Sequence, residues 1–333
     1  MLLLVLAATV SPSVGASPAG DALARLQALE IKSGPYAGAF RLSARGGINW
    51  YFANIALANA LPAMPATVRR YLDAYLAHFD AATGTIEDVA ADDDGTLGPP
   101  QPPDSHDAYA ATLVALAARY VSVTRDAGWW RAHRAAIKAL AYQNILVQIK
   151  PDGLVRVYQA GRQPAGVDPH EAAIGYLIDN CEVYEGLRAL ATMLRAQGDA
   201  DAPYYESFLA PLGKAIGALF DQTAGAWRPS DDVSGVETVF YPDCLAQIYP
   251  GLYGVSSGDA EVDRRRGALS YRFLQRCRIP REAAPSQRLA IAAYAAGTRH
   301  DPAYARNVAS TFVDDPSLPA LAWLLAYVKG PSH

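Results

Sequence analysis

From Asp21 onward, two kinds of apolar pattern alternate along the chain. In the first, apolar positions recur at helical spacing on one side only. Across 67–79, Val68, Leu72, Tyr75, Leu76 and Phe79 share a face, while Arg69, Arg70, Asp73 and His78 take the other. Such a helix covers a core and faces water. The second pattern is apolar all round: 108–118 carries no charge, and neither does 318–328, with Pro319 in its first turn. A helix without a polar face has to be buried on every side. Taken in order, the pattern predicts outer helices near 21–31, 66–80, 128–148, 202–221, 260–276 and 302–313. Inner helices are predicted near 48–60, 105–122, 180–196, 244–254, 285–297 and 317–328. Segments rich in Gly, Asp and Pro separate several of them, and 83–90 and 152–158 read as short extended ribbons.

This alternation predicts an all-α fold, an (α/α)6 toroid of helical hairpins with short β-ribbon loops, its inner helices lining the centre. An open solenoid would show more even repeat lengths. No change of composition marks a boundary, so one domain is expected over 17–333. With 333 residues, 51% of them hydrophobic, the chain can bury the core such a fold needs. The first sixteen residues differ. An apolar stretch runs from Leu2 towards Val14, Gly15 and Ala16, the pattern of a cleaved signal peptide without its basic start. Export to the periplasm or the medium is the expectation, and the run is too short for a permanent membrane anchor.

Charge and cysteine usage narrow the chemistry. The net charge is −4 with Lys and Arg dispersed, which argues against a nucleic-acid partner. Cys181, Cys244 and Cys277 lie far apart, without zinc-site spacing, and allow at most one internal disulfide. Asp92, Asp93, Asp94 and Gly95 lack the terminal glutamate of a calcium loop and read as a solvated turn. No nucleophile elbow, zinc-protease, Walker or dinucleotide motif is present, and neither a metal nor a cofactor is expected.

Parallel inner helices would gather their N-termini at one mouth, and the candidate chemistry sits there. The starts are Asn49-Trp50-Tyr51-Phe52, Asp104-Ser105-His106-Asp107-Ala108-Tyr109, Asp179-Asn180-Cys181-Glu182-Val183-Tyr184, and Tyr241-Pro242-Asp243-Cys244 followed by Gln247. Carboxylates beside aromatic rings suit a sugar, because rings stack on its C–H faces while acids bind hydroxyls and move protons. Asp104, Asp107, Asp179 and Glu182 are the candidate catalytic residues. Asn49, Trp50, His106, Tyr109, Asn180, Tyr184, Asp243 and Gln247 are candidate sugar-binding residues, with Trp227 as a subsite wall from a loop. The acids also have a structural reading: Asp104-x-x-Asp107 and Asp179-x-x-Glu182 have the spacing of capping boxes, and Tyr109 and Tyr184 that of core positions.

The stretch 104–117 resembles the second inner helix of family-eight glycoside hydrolases, the bacterial cellulases and chitosanases, in which a D-x-x-D pair opens a helix rich in small residues. More broadly the chain is similar to the six-hairpin glycosidases. The resemblance implies that Asp104 and Asp107 orient the sugar or the water. It also implies an acidic glutamate at the start of the first inner helix, where this chain has Gly46-Gly47-Ile48-Asn49-Trp50. An acid would then come from Asp179 or Glu182. Separations of about 5–5.5 Å (retaining) or about 6.5–9.5 Å (inverting) both remain open. The sequence thus points to a secreted glycoside hydrolase acting on a polysaccharide or oligosaccharide. The alternatives are a non-catalytic carbohydrate-binding or exopolysaccharide-assembly protein, and a polysaccharide lyase using His106 with Tyr109 or Tyr184.

Overall fold

A computed structural model describes residues 18–310 and 314–329. The leader expected at 1–16 lies outside them, as do the last residues of the outer helix expected at 302–313. The first half of the chain forms α1 (Pro18–Ala28), α2 (Trp50–Ala60), α3 (Pro65–His78), β1 (Asp88–Ala91), β2 (Leu97–Gln101), α4 (Asp107–Thr124), α5 (Ala127–Asn144) and α6 (Leu177–Ala196). There follow α7 (Ala202–Glu206), α8 (Leu209–Ala218), β3 (Phe220–Asp221), β4 (Ala226–Trp227), α9 (Tyr249–Leu252), α10 (Ala260–Arg276), α11 (Pro285–Gly297), α12 (Pro302–Ala309) and α13 (Leu318–Lys329).

The inner set is α2, α4, α6, α9, α11 and α13. Helix α2 packs on α4, α4 on α6, α6 on α9, and α11 on α13, which returns to α2 and closes the ring. Between α9 and α11, Gly251 lies against the Tyr294 ring. The closure is also hydrogen-bonded: Leu318 N–H donates to Leu42 O at 2.8 Å and Asn59 Nδ2 to Ala322 O at 3.0 Å. The remaining long helices lie outside, and one apolar cluster runs from Ala22 to Leu325. The all-α toroid expected from the alternation is the fold observed. Where α4 and α6 cross, small residues let the backbones meet, and a Cβ on Gly186 would come within 2.7 Å of Ala111 O.

The fourth hairpin departs from the expected pattern. The outer helix expected at 202–221 is two pieces, α7 and α8, followed by the β3–β4 ribbon. The inner helix expected at 244–254 shrinks to a wide turn at Phe240–Cys244 and the single turn α9. Pro242 and Pro250 withhold backbone donors here, and Gly254, with φ +61°, ends the segment. Cys244 is tied by a disulfide to Cys277 at the end of α10, while Cys181 is free and buried. Asp92–Gly95 forms the tip of the β1–β2 hairpin, with Gly95 at φ +88° and Asp94 accepting from Thr96 N–H at 2.8 Å. No helix among the described residues is long and apolar enough to cross a membrane.

Candidate active site

The inner-helix starts do meet around one cleft, a cavity of about 650 Å³. Its acids are Asp104, in the segment leading into α4, and Asp179, in the first turn of α6; Asp104 is exposed and Asp179 half-buried. Tyr51 and Phe52 of α2, Tyr176, Tyr241, Tyr249 and Trp323 supply the aromatic wall. Among the described residues no Lys or Arg lines it.

The helix starts do not fall where capping boxes would put them. Helix α4 begins at Asp107 itself, with His106 at the cap position and no side-chain cap bond. Helix α6 begins two residues before Asp179, with Tyr176 at the cap position. Neither Asp104 nor Asp179 is a cap. Asp107 and Glu182 lie beneath the cleft surface, fully buried. Glu182 Oε1 accepts the Tyr51 hydroxyl at 2.7 Å and the Tyr253 hydroxyl at 3.1 Å. Tyr253 in turn walls a separate cavity of about 500 Å³ on the far side.

A fifth carboxyl, Asp88, joins this group, and sequence reasoning missed it. Strand β1 docks on residues 47–48, where Ile48 and Val89 exchange backbone hydrogen bonds of 2.8 and 3.0 Å and a Cβ on Gly47 would collide with Val89 O. That sets Asp88 against the start of α2. It accepts from Trp50 N–H at 3.1 Å, from Asn49 Nδ2 at 2.6 Å and from the Tyr109 hydroxyl at 2.6 Å. A carboxyl therefore does stand at the start of the first inner helix, supplied by a hairpin instead of the helix. Only long-range packing selects it, and nothing in the local sequence marks it.

With five carboxyls gathered here and no cation on the cleft wall among the described residues, each charge opposes the others, and burial adds to the effect. Asp179 is pushed up to about 7 by burial and by Asp104, and Asp88 to about 6 chiefly by burial. Asp104 is raised by the loss of water around it within the cleft. Asp107 and Glu182 are driven well above the carboxylate range by burial and then by the charge of Asp179.

The expected sugar-binding residues divide between cleft and framework. Asn49 caps α2, accepting from Phe52 N–H at 2.9 Å, and with Tyr109 it holds Asp88 behind the cleft. Trp50 points away, fully buried against Tyr71 and Tyr75, with its indole donating to Glu87 O at 2.9 Å. The ring that enters the cleft is its neighbour Tyr51. Asn180 clasps the Val155 backbone in both directions, at 2.7 and 3.0 Å, and Gln247 does the same for Trp227 at 2.8 Å each way. Trp227 is buried against Phe220 and Arg266 and does not line this cleft. Tyr184 packs under Arg188, and Asp243 holds Glu237 N–H at 2.8 Å. His106 opens onto a second cavity of about 450 Å³. Its Nδ1 accepts from Gln159 N–H at 3.1 Å, and burial pushes it down to about 4, so it is neutral. Among the described residues no cluster of His, Cys, Asp or Glu has the arrangement of a metal site.

No family model matches the chain, and no curated protein matches it by sequence. Solved structures do match it in shape. A conserved protein of Thermus thermophilus, described as uncharacterized, superposes with a TM-score of 0.66 at 13% identity over 94% of this chain and 100% of that one. The GH63 mannosylglycerate hydrolase of the same organism, in complex with glucose, gives 0.63 at 13% over 94% and 99%. A Klebsiella oxytoca rhamnosidase with rhamnose bound gives 0.57 at 16%, over 92% of this chain and 53% of that one. The chain shares the all-α toroid fold of these structures. These likenesses support the six-hairpin architecture and not family eight in particular.

Proposed function

We propose that this toroid is an exported glycoside hydrolase that uses Asp104 and Asp179 on a polysaccharide or oligosaccharide held in the aromatic cleft. The observation that carries the reading is a pair of carboxyls, Asp104 and Asp179, opening on one cleft walled by aromatic rings. At about 7, Asp179 is still substantially protonated near neutral pH and able to donate to a glycosidic oxygen. Asp104, the more exposed, is the base that takes a proton from the attacking water. The ring faces of Tyr51, Tyr241 and Trp323 supply stacking surface. Structural neighbours that hold glucose or rhamnose in the same fold support a sugar ligand. A lyase reading is disfavoured, because a uronate needs a neutralising cation and the described residues of the cleft wall provide none. Export is supported by the leader pattern and by the Cys244–Cys277 disulfide, which persists in oxidising surroundings.

The test is incubation with a panel of neutral and acidic saccharides, read by new reducing ends and by the absorbance of unsaturated uronates. Hydrolysis is expected, and Asp179→Asn should lower it about 10²–10⁴-fold without lowering the melting temperature. Full activity in that variant removes Asp179 from the mechanism. Saccharide binding without turnover identifies the non-catalytic alternative.

A further inference from the structure

Asp107 and Glu182 have no part in the cleft chemistry just described, yet they are the most deeply buried acids of the group, 0% and 1% exposed. Each uses only one oxygen. Asp107 Oδ1 accepts from Ala108 N–H at 2.8 Å, and Glu182 Oε1 accepts both tyrosine hydroxyls. Among the described residues, Asp107 Oδ2 and Glu182 Oε2 have no hydrogen-bond partner. An ionised carboxylate buried without a cation and with an idle oxygen is costly, so the form suited to this place is the neutral acid. A neutral acid carries its proton on the oxygen that is not already accepting. The hydroxyls therefore sit on Oδ2 and Oε2, the two buried oxygens that accept nothing. Asp179 is one helical turn from Glu182 on the same helix, and its charge acts on both acids.

We propose that Asp107 and Glu182 are permanently protonated positioning residues whose Oδ2 and Oε2 hydroxyls receive the carboxylate that Asp179 becomes after giving up its proton. The catalytic value of this arrangement rests on Asp179 being the acid; the protonation of the pair does not. In the reaction the Asp179 proton passes to the glycosidic oxygen, which leaves with the electron pair of the broken C–O bond. The new carboxylate then accepts hydrogen bonds from two acids, neither of which loses its own proton. The attacking water forms the new C–O bond at the anomeric carbon and leaves its proton on Asp104, and exchange with solvent in the open cleft restores both groups.

Among the described residues, the groups that face this column bring no charge of opposite sign into it. Tyr51 faces it from α2, Tyr109 from α4 with Asp88 behind it, and Cys181 from α6, each raised chiefly by burial. Tyr249 and Tyr253 face it from the α9 segment, and Tyr158, Tyr176 and Tyr241 from the loops, raised for the same reason. Arg119 acts on the outer side of this shell, through Tyr253.

Infrared spectroscopy of the intact protein at neutral pH tests the protonation directly. Protonated-carboxyl carbonyl bands are expected, one lost in Asp107→Asn and another in Glu182→Gln. Absence of such bands, or spectra unchanged by both substitutions, overturns the proposal. The donor role is tested by following the Asp179 carboxyl carbon by NMR through a pH titration. Asp107→Asn keeps an N–H donor and should leave the midpoint close to wild type, whereas Asp107→Leu should raise it by about one pH unit or more. Equal midpoints in all three overturn the donor role, and if the leucine variant does not fold, Glu182→Gln against Glu182→Met makes the same comparison. Neither readout needs turnover, so a protein that shows both bands and cleaves no saccharide would refute the hydrolase reading while leaving the buried pair as described.

Discussion

Asp88 and Asp179 are both held above the ordinary carboxylate range, at about 6 and about 7, and in both burial is the first cause. In the unfolded chain they ionise near about 4. Between about 4 and 7 the folded protein therefore binds more protons than the unfolded chain, and its stability falls as pH rises through that window. Acids with lowered values, such as Glu30, Asp126 and Asp199, act the other way below about 4, and His106, pushed down to about 4, opposes the trend between about 4 and 6.5 as one group against the several raised acids. The melting temperature is expected to be higher at pH 5 than at pH 7.5, with a smaller difference in Asp88→Asn. A melting temperature that climbs over this interval would show that the buried acids do not dominate. At this scale the sequence was only partly legible. It located the acids of α4 and α6, but it chose Trp50 over Tyr51, which are adjacent and differ by about 100° in helical direction. The phase of α2 held the answer: Tyr51, Ile55, Ala58 and Asn59 share the side that lines the two axial cavities.

The crossing of α4 and α6 depends on a missing side chain. Ala111 O would stand 2.7 Å from a Cβ on Gly186, and because that neighbour is backbone it cannot turn aside. Gly186→Ala should therefore cost about 1–3 kcal/mol in chemical denaturation despite its better helix propensity. An unchanged or raised stability would mean that the helices separate freely. The Cys244–Cys277 bridge spans 33 residues and ties the segment leading into the shortest inner helix, α9, to the end of an outer helix. On the chain-entropy account its loss is worth about 3–4 kcal/mol, so Cys277→Ser should lower the denaturation midpoint by that equivalent. Elements were legible where their pattern was long: α10 and α11 begin and end where the expected outer and inner stretches do. The α9 segment was not, because Pro242, Pro250 and Gly254 break a run whose composition still reads as an inner helix. The capping-box spacing misled for a related reason, since α6 starts at Leu177 under tertiary packing before its acids begin.

Around the whole ring, six turns of one simple alternation were enough to anticipate the toroid, because a charge-free helix can be satisfied only by burial on all sides. The cleft was anticipated less completely. Its position follows from parallel inner helices, but the hairpin that delivers Asp88 and the loop that delivers Tyr241 are placed by contacts between distant segments. Export belongs to this scale too. Mass spectrometry of the native protein is expected to find a chain beginning near Ser17, outside the cytoplasm, and an intact Met1 in the cytoplasmic fraction would refute it. The join between α13 and α2 has a further consequence for the order of events during synthesis. Leu42 leaves the ribosome early and Leu318 late, yet they share a hydrogen bond. Until the last hairpin has emerged, the apolar flank of α2 has no permanent cover and the barrel stays an open arc. Contacts this distant in sequence form slowly. The ring therefore shuts only once the far end of the chain is free to reach back.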